Sequence, residues 1–262
     1  MTYCLGIKVK SGLVAIADTR ITSGNETTTA KKISIHKSGK KNLFIMTSGL
    51  RSIRDKAVTY FEELLESEDF AFDKMYKAVN AFGDQLRRVA KEDKQALAES
   101  GLFFNLNTIV GGQLENDTEH KLYLLYPEGN WIEIGEATPF TIIGNSGYGK
   151  PVLNRALTYE SSIKFALKTG FLSFDSTRVS ANDVGYPIDV VIYIKDSKKM
   201  LERRYTEDQT GHLGEMWAKR LKDIIHEVPD DWAEKLVQET EQILQQQQQK
   251  QNEKQQQMQQ QQ

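Results

Sequence analysis

The chain has 262 residues, 39% hydrophobic and 27% charged, a balance that suits one soluble domain of ordinary size with a substantial core. Lys and Arg number 34 against 36 Asp and Glu, and the net charge of −2 offers no global field for nucleic acid or an anionic membrane. No stretch approaches the roughly 18 consecutive apolar residues of a membrane span, the start Met-Thr-Tyr-Cys lacks the features of a secretion signal, and a single cysteine, Cys4, excludes a disulfide framework or a multi-cysteine metal site. The expected compartment is the cytoplasm.

Thr2 follows Met1 directly, and Thr is small enough for Met1 to be trimmed after synthesis. Thr2 would then carry a hydroxyl and a free α-amine. A hydroxyl is a weak nucleophile at neutral pH, and an α-amine, with a reference pKa of roughly 7.7–8.0, is a base built into the same residue. From Thr2 to Lys10 apolar Leu5, Ile7 and Val9 alternate with Gly6, Lys8 and Lys10, the period of a half-buried strand. Ser11-Gly12 reads as a tight turn. Leu13 to Ala17 is an almost continuous apolar run, a strand buried on both faces that ends at Asp18. Folding this strand back on the first returns Asp18 to the neighbourhood of Thr2.

Ile33–His36 and Asn42–Thr47 continue the sheet across a basic turn, Lys37-Ser38-Gly39-Lys40. Ser48-Gly49 ends a strand and opens a helix with the stripe Ile53, Ala57, Phe61, Leu64, and a second helix carries Met75, Val79, Phe82, Leu86 and Val89 at three/four spacing. These stripes predict helices that cover a sheet. Strands are expected again at 107–111, 120–126, 131–134 and 140–143, with a Pro127-Glu128-Gly129-Asn130 hairpin turn. A glycine-rich loop from Gly144 to Gly149 precedes a helix opened by Pro151. Residues 163–174 read as helix, 188–195 and 200–205 as strands, and 215–225 as helix. From Val237 the chain decays into glutamine and reads as a disordered or frayed-helical tail, leaving one domain over 1–236. Runs of strands alternating with paired helices predict an α+β fold of antiparallel sheets covered by helices, a four-layer αββα sandwich.

Asp18, Arg20 and the pair Lys31-Lys32, which stands just before the next strand, are the candidate partners of Thr2. An ammonium near the Thr2 hydroxyl lowers the pKa of that hydroxyl or of the α-amine, and a carboxylate holds such a lysine in place. A surface Lys-Lys pair and a salt-bridged Asp-Arg at a strand end satisfy the same spacing.

Read in register, Thr2, Ala17-Asp18-Thr19-Arg20, Lys31-Lys32-Ile33 and Met46-Thr47-Ser48-Gly49 resemble a proteasome β-subunit. Met-Thr-Tyr-Cys-x-Gly-Ile, Tyr148-Gly149-Lys150-Pro151, Phe174-Asp175-Ser176-Thr177 and Val184-Gly185-Tyr186-Pro187-Ile188-Asp189 further resemble the bacterial Anbu proteins, from Thr2 to about Asp230. The resemblance implies an N-terminal-nucleophile hydrolase with Thr2 as nucleophile and base, and Asp18 and Lys32 as its activating pair. Arg20 would stand behind them, the Ser48-Gly49 backbone would bind the oxyanion, and Ser146 would hydrogen-bond the Thr2 amine. Either Ser180 or Asp183, from the segment before the last long strand, would complete the site. The Anbu pattern has a serine where Asp183 stands.

Gly144-x-x-x-x-Gly149-Lys150 is most of a phosphate-binding loop, but Pro151 occupies the Ser/Thr position and has no N–H to offer. His36, His120, His212 and His226 share no metal-ligand spacing. No metal or organic cofactor is implied. The expected activity is cleavage of amide bonds in peptides or unfolded protein by a self-assembling, ring-like homo-oligomer. Any unfoldase ATPase partner stays unnamed. An amidase or acylase using the same nucleophile, and a catalytically silent assembly module, are the competing readings.

Overall fold

The fold, taken from a computed structural model, is described for residues 2–23, 26–38, 41–66, 72–197 and 199–260. Met1, whose removal the Thr2 reading needs, the Gly39-Lys40 half of the basic turn and the last two glutamines lie outside them. The first two strands are β1 (Tyr3–Val9) and β2 (Gly12–Asp18), followed by β3 (Arg20–Ser23), β4 (Glu26–Thr29), β5 (Ile33–Ser38) and β6 (Lys41–Gly49). Helices α1 (Arg51–Glu66) and α2 (Met75–Glu99) come next, then β7 (Leu106–Gly112), β8 (Lys121–Leu125), β9 (Trp131–Glu133) and β10 (Phe140–Gly144). The order closes with α3 (Lys150–Ala156), α4 (Ile163–Ser180), β11 (Ile188–Ile194), β12 (Met200–Tyr205), α5 (Glu207–Thr210), α6 (His212–Glu227) and α7 (Asp231–Gln260).

The residues group into two compact units, Met1–Gly214 and Glu215–Gln262. The first contains two five-stranded antiparallel sheets, ordered β10-β1-β2-β11-β12 and β5-β6-β7-β8-β9. β1 is buried along its whole length rather than on one face as its alternation suggests, because both of its faces are covered. Leu5 and Ile7 pack with Ala166, Phe171 and Phe174 of α4, while Cys4 joins Ala15, Phe44, Ile109 and Val191 between the sheets. On the second sheet the α1–α2 stripes meet Leu43, Ile45, Leu106 and Val110, with Phe82 set edge-on to Phe61 at 5.4 Å. The three apolar clusters are the three seams of an αββα sandwich, the fold class the element order predicts. Ser162 caps α4, its hydroxyl accepting from the Phe165 N–H at 3.2 Å, and Pro151 sits in the first turn of α3.

Two further elements depart from the sequence reading. The β3–β4 hairpin has no counterpart in it, because β4 is Glu-Thr-Thr-Thr, exposed throughout and without apolar alternation. Helix α4 runs to Ser180, so that residue ends a helix rather than opening a loop. In the second unit residues 245–260 of the glutamine-rich stretch lie in helix α7, the helical one of the two tail states the sequence allows, consistent with the low rotamer cost of unbranched glutamine in a helix. Among the described residues no helix is long and apolar enough to cross a membrane.

Candidate active site

The β1–β2 hairpin pairs Cys4 with Ala17, which sets Asp18 beside the start of β1. There the Asp18 carboxylate, fully buried, accepts from the Tyr3 N–H at 2.8 Å, the Arg20 N–H at 3.1 Å and the Gly185 N–H. Lys32, 7% exposed, donates to Asp18 Oδ1 at 2.7 Å and to the Arg20 carbonyl at 2.6 Å. Burial pushes the Asp18 carboxyl above its ordinary range, and the Lys32 ammonium, with the N–H donors, pulls it back. An ammonium has three N–H bonds, and these contacts use two of those on Lys32.

Thr2, 8% exposed, lines a cleft of about 750 Å³ together with Lys32, Thr47, Ser48, Gly49 and Gly144. Lys32 and Thr2 therefore share a cavity. Part of its wall comes from Ile21, Thr22 and Thr28 of the β3–β4 hairpin. Gly144 has φ +87°, and a Cβ there would fall 2.0 Å from the Thr2 carbonyl oxygen, so only glycine lets this loop approach the residue at position 2. The next residue, Asn145, donates its N–H to that carbonyl at 2.7 Å. Gly49, at φ +149°, is exposed and presents backbone to the cleft, and Ser48 beside it is half-buried.

The remaining sequence candidates fall in different places. Ser146 is half-buried one residue beyond Asn145, and its carbonyl accepts from the Lys150 N–H at 3.3 Å. Ser180 is exposed at the end of α4, whereas Asp183 is half-buried in a turn whose Gly185 N–H reaches Asp18. Arg20 does not face the cleft: its Nη1 donates to the Asn182 carbonyl at 2.9 Å. The phosphate-loop resemblance is absorbed by packing, since a Cβ on Gly149 would meet Ser173 Oγ of α4 at 2.3 Å.

Asn105, Asn107, Arg51 and Arg54 also line the cleft and are not among the sequence candidates. The asparagines carry a usable signal, being two apart on the approach to β7, with Asn107 paired to Ser48. A second cleft of about 410 Å³ shares Lys32, Thr47 and Arg54 with the first and is walled by Ile33, Ile35, Ile45 and Val58. Cys4 lies between the sheets, its thiol pushed up by burial.

The two facing sheets, their flanking helices and the cleft at the start of β1 define the Ntn-hydrolase type of αββα fold. The proteasome-subunit family profile matches residues 2–192. An Anbu Gly-1 mutant from Hyphomicrobium sp. strain MC1 is 32% identical over 87% of this chain and 99% of its own, with a TM-score of 0.80. Anbu (ancestral β-subunit) from Yersinia bercovieri is 29% identical over 87% and 97%, with a TM-score of 0.80. A helical assembly of the Anbu complex from Pseudomonas aeruginosa gives 28% identity over 87% and 97%, with a TM-score of 0.81. No curated protein sequence matches. The chain belongs to the proteasome-subunit family and is similar over most of its length to proteins of the Anbu type.

Proposed function

We propose that the protein is a proteasome-type threonine peptidase whose nucleophile is Thr2, exposed once Met1 is removed. The observation that carries this reading is the buried Asp18–Lys32 pair, 2.7 Å apart, on the cleft that Thr2 lines. Lys32 stabilises the alkoxide character of the Thr2 hydroxyl, and the α-amine takes the hydroxyl proton as Oγ adds to an amide carbonyl. The oxyanion faces the backbone at Ser48-Gly49, an interaction worth about 3–4 kcal/mol per donor in comparable enzymes. Collapse breaks the C–N bond, the α-amine returns the proton to the leaving amine, and water hydrolyses the ester left on Thr2. Asp183, in the turn tied to Asp18, is the better candidate than exposed Ser180 to complete the site.

The second cleft, where Ile33, Ile35, Ile45 and Val58 lie among polar and charged residues that include Lys31, Asp55 and Arg54, offers an aliphatic side chain a place next to the scissile bond. Self-association is part of the same reading: the Pseudomonas relative is described as a helical assembly. A panel of peptide fluorogens run beside a panel of small amides, with Thr2→Ala as control, tests the reading. Turnover of peptides with aliphatic residues, abolished in the variant, is expected. Turnover of small amides alone moves the protein to the amidase reading, and activity retained in Thr2→Ala removes both.

A further inference from the structure

Four hydrogen bonds lace the end of β2 to the segment between α4 and β11. Thr19 donates its backbone N–H at 3.0 Å and its Oγ1 at 2.7 Å to the Pro187 carbonyl. Arg20 Nη1 donates to the Asn182 carbonyl at 2.9 Å, and the Gly185 N–H donates to the Asp18 carboxylate. The guanidinium lies directly against Gly185: a Cβ there would stand 2.5 Å from Cζ, 2.6 Å from Nε and 2.7 Å from Nη2 of Arg20. The main chain of the same arginine is committed to the candidate site. Its N–H holds Asp18 Oδ2 at 3.1 Å, and its carbonyl accepts from Lys32 Nζ at 2.6 Å.

We infer that the Arg20 side chain is a positioning residue, which clamps the Asn182–Gly185 turn over Asp18 and thereby fixes the carbonyl that aims Lys32. Gly185 is its obligatory counterpart, because any side chain at that position displaces the guanidinium. The inference rests on the proposed role of Thr2 and assigns Arg20 away from oxyanion or substrate contact. A planar guanidinium suits this role because it lies flat on a backbone while one N–H reaches a carbonyl. An ammonium on a flexible stem supplies the bond without the flat contact. The contact is partly exposed, so its effect falls on geometry more than on stability. Displacements of about 1 Å at a reacting centre cost on the order of 100-fold in rate.

The test is the rate of acylation of the full chain by a β-lactone, followed by intact mass as a function of lactone concentration, for wild type, Arg20→Ala, Arg20→Lys and Gly185→Ala. Arg20→Ala and Gly185→Ala are expected to lower the maximal acylation rate by about 10- to 100-fold. Half-saturation stays within about twofold, since neither side chain meets the ligand, and Arg20→Lys recovers part of the rate. Thermal unfolding accompanies each variant. If Arg20→Ala does not fold, Arg20→Lys and Gly185→Ala carry the comparison. A folded Arg20→Ala or Gly185→Ala protein that acylates at the wild-type maximal rate, or one that loses only half-saturation, overturns the inference. An unreactive wild type counts instead against Thr2 as nucleophile, before any Arg20 variant is compared.

Discussion

Among the described residues of the first unit, Lys8 and Lys32 are almost fully buried, with side chains 3% and 5% exposed, and they are partnered in opposite ways. Lys8 meets Glu119 at 3.4 Å and Glu133 at 3.7 Å, both carboxylates about one-third exposed and both shared with Lys121 at 2.9 Å. Lys32 meets Asp18 at 2.7 Å, and the Asp18 side chain is not exposed at all. Lys8 stands toward the far end of β1, about 17 Å along the strand from Tyr3. At that end the carboxylates keep much of their hydration, and ion pairs of this kind contribute about 0–1 kcal/mol. At the Thr2 end, desolvation of both ions is nearly complete, and a hydrophobic replacement of such a pair is often neutral or stabilising. The Lys8 cluster is a clamp between sheets. The Lys32 pair is costly to bury and opens onto a cleft, which is the pattern of a site retained for chemistry.

Breaking the pair at one partner gives the largest expected effect. Asp18→Ala leaves Lys32 buried without compensation and lowers the free energy of unfolding by about 3–5 kcal/mol in urea titrations. The double variant Asp18→Asn with Lys32→Met recovers most of that loss while remaining inert toward acylating reagents.

Acid acts on the buried histidines and on Asp18 with opposite sign. His36 is pushed down to about 4 by burial, and His120, whose Nε2 contacts the Val9 carbonyl at 2.8 Å near Lys8, is also lowered by burial. Both folded values lie below the unfolded imidazole value, so the unfolded chain takes up protons first. Stability from these groups is full above about pH 6.5 and falls as the pH drops toward 4. Glu62, half-exposed and 3.6 Å from His36 Nδ1, works against this shift, while Ser34 Oγ at 2.9 Å and the Phe61 ring complete the surroundings. Asp18 has the reverse sign, since its carboxyl is raised: its contribution is present below the usual carboxylate range and is lost as pH rises through the folded value. Unfolding measured from pH 7.5 to 4.5 should therefore show a loss toward acid that His36→Gln reduces by up to about 3 kcal/mol. An unchanged slope in that variant would contradict the histidine assignment.

The smallest effect belongs to the clamp. Lys8→Met is expected to change stability by less than about 1 kcal/mol and to leave acylation at the wild-type rate. A large loss there would erase the distinction between the two ends.

Much of this is readable in the chain. Period-two alternation in β1, the apolar run of β2 and the turn between them suffice to place Asp18 near Thr2, and three/four spacing locates α1 and α2. Sequence spacing leaves Lys31 and Lys32 as alternatives. In the structure Lys32 turns inward to Asp18, while Lys31 pairs with Glu202 at 2.5 Å on the outside. The β3–β4 hairpin, which walls the cleft, is not legible because an exposed Thr-rich ribbon carries no apolar period. The contact of the 144–149 loop with the Thr2 carbonyl comes from the Asn145 backbone. A main-chain donor leaves no trace in residue identity, so this contact cannot be read from the sequence; it is separate from the bond to the Thr2 amine that the resemblance implies for Ser146. Arg20 is legible as a neighbour of Asp18, but its contact with Asn182 spans 162 positions and needs the fold.

Intact-mass analysis of protein whose first residue is verified as Thr2, before and after exposure to a β-lactone, asks most plainly whether the Lys32 end is a working site. A single adduct is expected on wild type, located on Thr2 and absent from both Thr2→Ala and Lys32→Met. A protein with Thr2 verified at its N-terminus that forms no adduct, or forms one equally well without Lys32, would contradict the assignment of Thr2 and Lys32 to the chemistry.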